Sequence, residues 1–113
     1  MKISATQQGS VTVICLSGSM MGGPDATSLN SHLHELMAAG KKNIVLDLGG
    51  VDFMNSSGLG MLIGTASTLK NVGGKLKLAN ASEKILALIK ITKLTPVFEH
   101  FDSVKSAAAS FGS

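Results

Sequence analysis

Residues 43–48 read Asn-Ile-Val-Leu-Asp-Leu, and this short, almost continuously apolar run constrains the fold more than any other part of the sequence. A strand of this kind has almost no polar side to present to water, so it must be buried on both faces. Such strands belong to parallel sheets whose connections are helices packed on the sheet. We therefore expect residues 43–48 to be the central strand of an α/β sheet.

Hydrophobic periodicity on both sides of this run predicts the other elements. The expected strands cover residues 3–6, 11–16, 43–48, 75–79 and 96–99, with a loop at 17–23 after the second. A helix is expected after each of the last four strands. The order β-β-α-β-α-β-α-β-α predicts a small, mixed and mostly parallel sheet of about five strands with four helices. The 113 residues suit a single domain spanning 1–113.

Start signals for the helices and a core can also be assigned. Pro24 is expected to open the first helix, Asn80 and Glu83 to form a capping box for the third, and Asp102 to cap the fourth. The side chains expected to be buried around the sheet are Leu46, Leu48, Leu62, Ile63, Leu88 and Ile89.

Composition excludes several classes of protein. With 44% hydrophobic and 15% charged residues, the chain is not disordered. All ten basic residues are lysines, and Arg, Trp and Tyr are absent, so direct nucleic-acid binding is not expected despite the net charge of +3. No apolar run has membrane length. The single cysteine, Cys15, lies in an apolar run and is expected to be a buried small hydrophobe. Because one cysteine cannot form an internal disulfide, we expect a reducing compartment and a cytoplasmic protein.

Motifs of catalysis and cofactor binding are incomplete. Residues 58–64 contain three glycines but not the G-x-G-x-x-G spacing, so Gly60 and Gly64 are expected to let the helix backbone approach its neighbour. Residues 55–58 lack the first glycine of G-x-S-x-G. His32 and His34 point to different helix faces and are expected to be exposed. We expect no catalytic residue, no metal site and no cofactor.

A polar turn, Asn55, Ser56 and Ser57, leads directly into the second helix beside Gly58. A serine here has an exposed hydroxyl, and the free N–H groups at the helix N-terminus can hold a phosphate on it. The alternative is that one of the three residues is simply an N-cap. A single cap does not account for three polar residues in series.

Residues 47–60, Asp-Leu-Gly-Gly-Val-Asp-Phe-Met-Asn-Ser-Ser-Gly-Leu-Gly, resemble the signature of the STAS domain, a family named for sulphate transporters and anti-sigma factor antagonists. The resemblance extends over essentially the whole chain, including the opening hairpin, the order of elements and Gly18. A chain that starts at Met1 is expected to resemble the free-standing bacterial antagonists and not a transporter tail. The family commonly has Asp where this chain has Asn55, and acidic residues where it has the loop 19–23.

The resemblance implies a protein-binding module and not an enzyme. Unphosphorylated, it would bind an anti-sigma factor that is also a serine kinase, and so regulate sigma-factor-dependent transcription. The kinase would phosphorylate Ser56, with Ser57 as the fallback, and a metal-dependent serine phosphatase would reset the switch. Direct nucleic-acid and membrane partners are not implied. The residues expected to bind the partner are Met20, Met21, Gly22, Gly23, Asn55, Ser57, Gly58 and Leu59.

Two further hypotheses remain open. The chain could be a STAS scaffold subunit that is not phosphorylated, as in a lipid-transport complex or a stressosome-like assembly. It could also be a small nucleotide-binding protein, a hypothesis that only the glycine-rich turn supports. Within the first hypothesis, Met20 and Met21 could either contact a partner or fill the core under their loop.

Overall fold

The computed structural model describes residues 2–91 and 98–111 and has a five-stranded mixed sheet in the order β1-β2-β3-β4-β5. The strands are β1 (Lys2–Gln8), β2 (Val11–Met20), β3 (Asn43–Met54), β4 (Lys75–Ala79) and β5 (Glu99–Phe101). The helices are α1 (Pro24–Ala38), α2 (Ser56–Asn71), α3 (Glu83–Ile91) and α4 (Val104–Ala109). β1 and β2 are antiparallel, and all other neighbours are parallel. The predicted fold class and order of elements are confirmed.

The central strand is buried on both faces, as the apolar run predicts. Ile44, Val45 and Leu46 are inaccessible to solvent. Because side chains alternate along a strand, Ile44 and Leu46 face a core formed with α1, α2 and α3, whereas Val45 faces a smaller cluster formed with α4. Among the described residues, the sheet therefore has three helices on one face and one short helix on the other.

A buried lysine fixes the short helix to the sheet. Lys77 is 5% exposed, and its Nζ donates to Oγ and the carbonyl oxygen of Ser110 over 2.8 and 3.1 Å. The same ammonium lies 3.3 Å from a Glu99 carboxylate oxygen and 4.6 Å from the ring centre of Phe111. Burial of this charge is compensated by hydrogen bonds, an ion pair and an aromatic face together.

The two central strands are longer than the sequence predicts. Residues 17–20 were expected in a loop, but they continue β2 and pair with residues 50–54, which extend β3. The register shifts between Cys15 and Ser17 and again between Gly18 and Ser19. Pairing between the strands overrides the turn-like composition of both segments. The loop that remains before α1 is residues 21–23.

Two predicted caps and one strand boundary are wrong. The hydroxyl of Ser82, not a box of Asn80 and Glu83, accepts the N–H of Ile85 at the start of α3. Ser103, not Asp102, caps α4. The last strand is β5 at Glu99–Phe101, not 96–99, and residues 96–97 of that prediction lie outside the described residues.

The face of α2 that packs on the sheet also differs from the prediction. Leu62 is fully buried, but Ile63 is 36% exposed, because one residue further along a helix turns the side chain by about 100°. Leu46, Leu48 and Ile89 are buried as predicted, while Leu88 is only half-buried.

Gly60 and Gly64 do not bring α2 close to another backbone. A Cβ at either position would have no heavy atom within 4 Å. Both glycines line an open groove of about 610 Å³ between α1 and α2. The close approaches are made elsewhere on the helix.

Candidate functional site

The start of α2 is fixed by its N-cap residue. Asn55 has an extended backbone, and its side-chain oxygen accepts the N–H of Gly58 over 2.8 Å. The backbone N–H of Asn55 in turn donates to the carbonyl oxygen of Met20 over 3.3 Å. This arrangement ties the helix N-terminus to the end of β2. Of the three candidate caps, it is Asn55 that serves as one.

Ser56 is the first residue of α2 and its side chain is exposed. Asn55 accepts the N–H of Gly58 with its side chain and the N–H of Leu59 with its carbonyl oxygen. Within the described residues, the backbone N–H groups of Ser56 and Ser57 have no acceptor. A helix N-terminus also carries a partial positive charge. A negatively charged group attached to the Ser56 side-chain oxygen can therefore be accommodated here without breaking an existing hydrogen bond.

Ser57 lies in a different environment. A Cβ built on Gly22 would come within 2.7 Å of the Ser57 Cβ, so the two residues are in direct contact. Gly22 also has a φ of 82°, a backbone conformation that other residues rarely adopt. Ser57 thus contacts the loop 21–23 while it remains exposed to solvent, and it is not the cap.

A second close approach occurs at Gly58. A Cβ at this position would collide with the carbonyl oxygen of Met20 and lie 2.8 Å from its carbonyl carbon. No side chain larger than hydrogen fits unless the backbone moves. These contacts place the end of β2 and the loop 21–23 beside the start of α2.

The predicted partner-binding residues divide into exposed and buried ones. Met21 is 53% exposed and Met20 is fully buried, so one methionine reaches the surface and the other fills the core. Three of the eight predicted residues are exposed: Met21, Gly23 and Ser57. Asn55 is partly exposed, and the other four are buried, namely Met20, Gly22, Gly58 and Leu59. The buried members shape the site and do not themselves present side chains to a partner.

One exposed residue was missed by the sequence reasoning. Phe53, near the end of β3, is 50% exposed and lies two residues before the N-cap. With Leu88 and Ile91 of α3 it lines an apolar groove of about 360 Å³. An aromatic residue two positions before the polar turn was the available signal.

The opposite face of the sheet carries the only titratable group with a resolved pKa shift among the described residues. Cys15 is half-buried, not buried as predicted, and its Sγ lies 3.8 Å from Oδ2 of Asp47. Burial raises the pKa of the Cys15 thiol, and the negative charge of Asp47 raises it further. A thiol in this state is a poor nucleophile.

Several classes of site find no support in the described residues. No group of three or more His, Cys, Asp or Glu side chains there could hold a metal ion. His32 and His34 are exposed on α1, as expected. In residues 2–91 and 98–111, no helix has the length and apolar character needed to cross a bilayer.

Within residues 2–91 and 98–111, the chain is a small α/β domain with a five-stranded mixed sheet and three helices on one face of it. An exposed serine begins the helix after β3, in a polar turn at one end of the sheet. The family model described as "STAS domain" matches residues 2–107. The chain belongs to the STAS domain family.

Similar proteins carry the names of anti-sigma factor antagonists. "Putative anti-sigma factor antagonist BtrV" of Bordetella bronchiseptica is 28% identical over 111 residues, which is 98% of this chain and 95% of that protein. The "Anti-sigma-B factor antagonist" of Bacillus subtilis is 42% identical over 52 residues, covering 46% of this chain and 48% of that protein.

The fold is also that of solved structures of the Bacillus cell fate determinant SpoIIAA. Its phosphorylated form superimposes with a TM-score of 0.75 at 19% identity, covering 98% of this chain and all of that one. The unphosphorylated form gives a TM-score of 0.73 at 20% identity, covering 97% and 96%. At this level of identity the likeness establishes the fold alone.

Proposed function

We propose that this chain is an anti-sigma factor antagonist that binds an anti-sigma factor through the surface around the N-terminus of α2. Phosphorylation of Ser56 ends the binding. The names of the relatives from Bordetella bronchiseptica and Bacillus subtilis support the class of function. SpoIIAA, which has the same fold, exists in a phosphorylated form.

The observation that carries the proposal is the position of Ser56. It is exposed at the first position of a helix, next to a cap that leaves two backbone N–H groups for an incoming anion. Met21 directly follows the end of β2 and Phe53 lies near the end of β3, and both side chains are exposed. A partner that covers these apolar side chains also covers Ser56.

The physical basis of the switch is the cost of burying a charge. A phosphate group adds about −1.5 to −2 charges at neutral pH. In the free protein, the N–H groups and the helix dipole stabilise that charge by roughly 0.3–1 kcal/mol, so the fold tolerates it. In a complex the same charge loses its water, and an interface formed by Met and Phe side chains offers no compensating cation.

The family resemblance supplies the enzymes of the cycle. The anti-sigma factor itself would be the serine kinase, and a metal-dependent serine phosphatase would remove the phosphate. The chain would act as a binding module in the cytoplasm, regulate sigma-factor-dependent transcription, and catalyse no reaction of its own.

The test combines binding and mass measurement. Wild-type protein and Ser56→Asp are used as baits in extract of the source cells, and captured proteins are identified by mass spectrometry. We expect the wild type to retain a kinase-like anti-sigma factor and Ser56→Asp to lose most of it. Incubation of the purified pair with ATP should add one phosphate, at Ser56, and Ser56→Ala should bind but not be released.

A matched control separates the position of the charge from its presence. Ser67 is exposed in the same helix but lies three turns away from the loop 21–23. Ser67→Asp adds the same charge and should leave binding unchanged. Phosphate on Ser57 would contradict the assignment of Ser56. A partner that binds without any phosphorylation would favour the scaffold function, and nucleotide binding by the isolated chain would favour the third hypothesis.

A further inference from the structure

The outer edge of β1 differs from the other edge of the sheet. β5 spans three residues, carries Glu99 and is followed closely by α4. β1 spans seven residues, and in the described part of the chain no strand pairs with its outer side. An edge of this length presents unpaired backbone N–H and C=O groups that can bond to a further strand.

β1 lacks the devices that usually protect an exposed edge. Short length, proline, a bulge, central charged side chains or a covering segment normally prevent pairing with another chain. The seven residues of β1 contain no proline, and their only charge is Lys2 at one end. Their pairing with β2 runs from Lys2 opposite Ser17 to Gln8 opposite Val11 without a shift in register.

The hairpin geometry tells which backbone groups point outward. β1 and β2 are joined by a two-residue turn, so Gln8 and Val11 form a hydrogen-bonded pair next to it. Bonded pairs then alternate along the strand, and the N–H and C=O groups of Ile3, Ala5 and Gln7 point away from β2. Ala5 is the middle of these three residues.

We propose that a second copy of this chain pairs with the free edge of β1, in an antiparallel arrangement with its two-fold axis at Ala5. A two-fold arrangement of this kind is self-complementary, because the same edge serves both copies. It places Thr6 of one copy opposite Ser4 of the other, which is a favourable cross-strand pair.

The charges are compatible with this pairing. Lys2 of one copy lies opposite Gln8 of the other, so the two lysines are at opposite ends of the ribbon, about 20 Å apart at roughly 3.4 Å per residue. The net charge of +3 per chain gives only modest repulsion. No residue of the surface around Ser56 lies in β1, so the edge pairing and the proposed switch use different residues.

A single strand pair buries less area than the about 1,200 Å² of a standard interface, so we expect a weak dimer. Sedimentation equilibrium from about 10 μM to about 1 mM, the range that suits an interface of that size, measures its dissociation constant. A reducing agent is included so that Cys15 cannot link two chains.

Three substitutions at Ala5 decide whether the dimer uses this edge. Ala5→Pro removes an outward N–H, which an edge strand tolerates, and Ala5→Lys places two positive charges opposite each other on the axis. Each should weaken the dimer at least about tenfold. Ala5→Val keeps the N–H and the neutral side chain and should leave it unchanged or tighter. Circular dichroism checks that each variant is folded. If Ala5→Pro does not fold, the result for Ala5→Lys decides.

Two results would overturn the proposal. One is a wild-type protein that stays monomeric over the whole concentration range. The other is a dimer that persists with unchanged affinity in the folded Ala5 variants, because it would then use another surface. Binding of the anti-sigma factor is measured separately, so a failure here leaves the proposed switch untouched.

Discussion

Gly22 lies directly against Ser57, so that a Cβ on the glycine would come within 2.7 Å of the serine Cβ. This contact joins the loop after β2 to the first turn of α2. Ser57 and its neighbour Ser56 are both exposed in the first turn of the helix, and Ser57 is the one that contacts Gly22. The assignment of Ser56, and not Ser57, as the modified residue stays a prediction that the phosphorylation experiment tests.

The glycines of α2 should respond in opposite ways to alanine. Gly58→Ala forces a methyl group onto the carbonyl of Met20, and we expect a loss of about 1–3 kcal/mol in the free energy of unfolding. Gly60 lies two residues further along, on the exposed side of the helix, and a methyl group there meets no atom within 4 Å. Gly60→Ala should therefore raise the free energy of unfolding by about 0.5–1 kcal/mol through helix propensity. Urea unfolding of both variants checks this. A stable Gly58→Ala protein would mean that α2 and β2 are not in contact here.

The N-cap makes a separate prediction. Asn55→Ala removes the acceptor for the N–H of Gly58 and should cost about 0.5–2 kcal/mol. Asn55→Asp keeps an acceptor oxygen at the same place and adds a negative charge that the helix dipole favours, so its stability should equal or exceed that of the wild type. Equal losses in both variants, measured by thermal unfolding, would argue against a capping role.

The buried face of α2 can be tested by two neighbouring residues. Leu62 is fully buried, and Leu62→Ala should cost about 2–5 kcal/mol. Ile63 is partly exposed, and Ile63→Ala should cost less than about 1 kcal/mol. Denaturant unfolding of the pair compares two side chains of similar volume in one helix. A larger loss at Ile63 would contradict the helix orientation described above.

Much of the fold could be predicted because its signals are local and strong. Residues 43–48 have no polar face, and each helix carries its own apolar period, so the order of elements followed from the sequence. The length of β2 and β3 could not be predicted from the sequence. Residues 17–20 and 50–54 are extended because they pair with each other, and not because of their own strand propensity. The cap predictions were wrong where a second polar residue lies one or two positions from the predicted one, as Ser82 does after Asn80 and Ser103 after Asp102.

The candidate site was predictable in position but not in detail. The polar turn before α2 is visible in the sequence, and the residues after β2 were expected to share a partner with it. Which methionine reaches the surface depends on the register of β2 against β3, since Met20 pairs with Met54 and points into the core. The exposure of Phe53 depends on where α3 lies. Neither relationship can be derived from spacing along the chain.

The thiol of Cys15 predicts a pH dependence at the other face of the sheet. Burial and the nearby Asp47 carboxylate raise its pKa in the folded protein. The unfolded chain therefore loses the proton first, so this contribution to stability is present below the ordinary thiol pKa of about 8.5 and is lost as the pH rises toward the folded value. We expect the free energy of unfolding to decrease above about pH 8.5, and Cys15→Ala to reduce that decrease.

Alkylation by iodoacetamide measures the same effect directly, because only the thiolate reacts. Native Cys15 should react more slowly than the unfolded chain at equal pH, with its midpoint shifted to higher pH. Asp47→Asn keeps the Oδ1 that accepts the N–H of Gly49 and the amide of Asn80, but it removes the charge 3.8 Å from Sγ. It should therefore move the midpoint back toward lower pH, while the two unfolded chains react alike. If wild type and Asp47→Asn share one midpoint, burial alone raises the pKa and the carboxylate has no part in it.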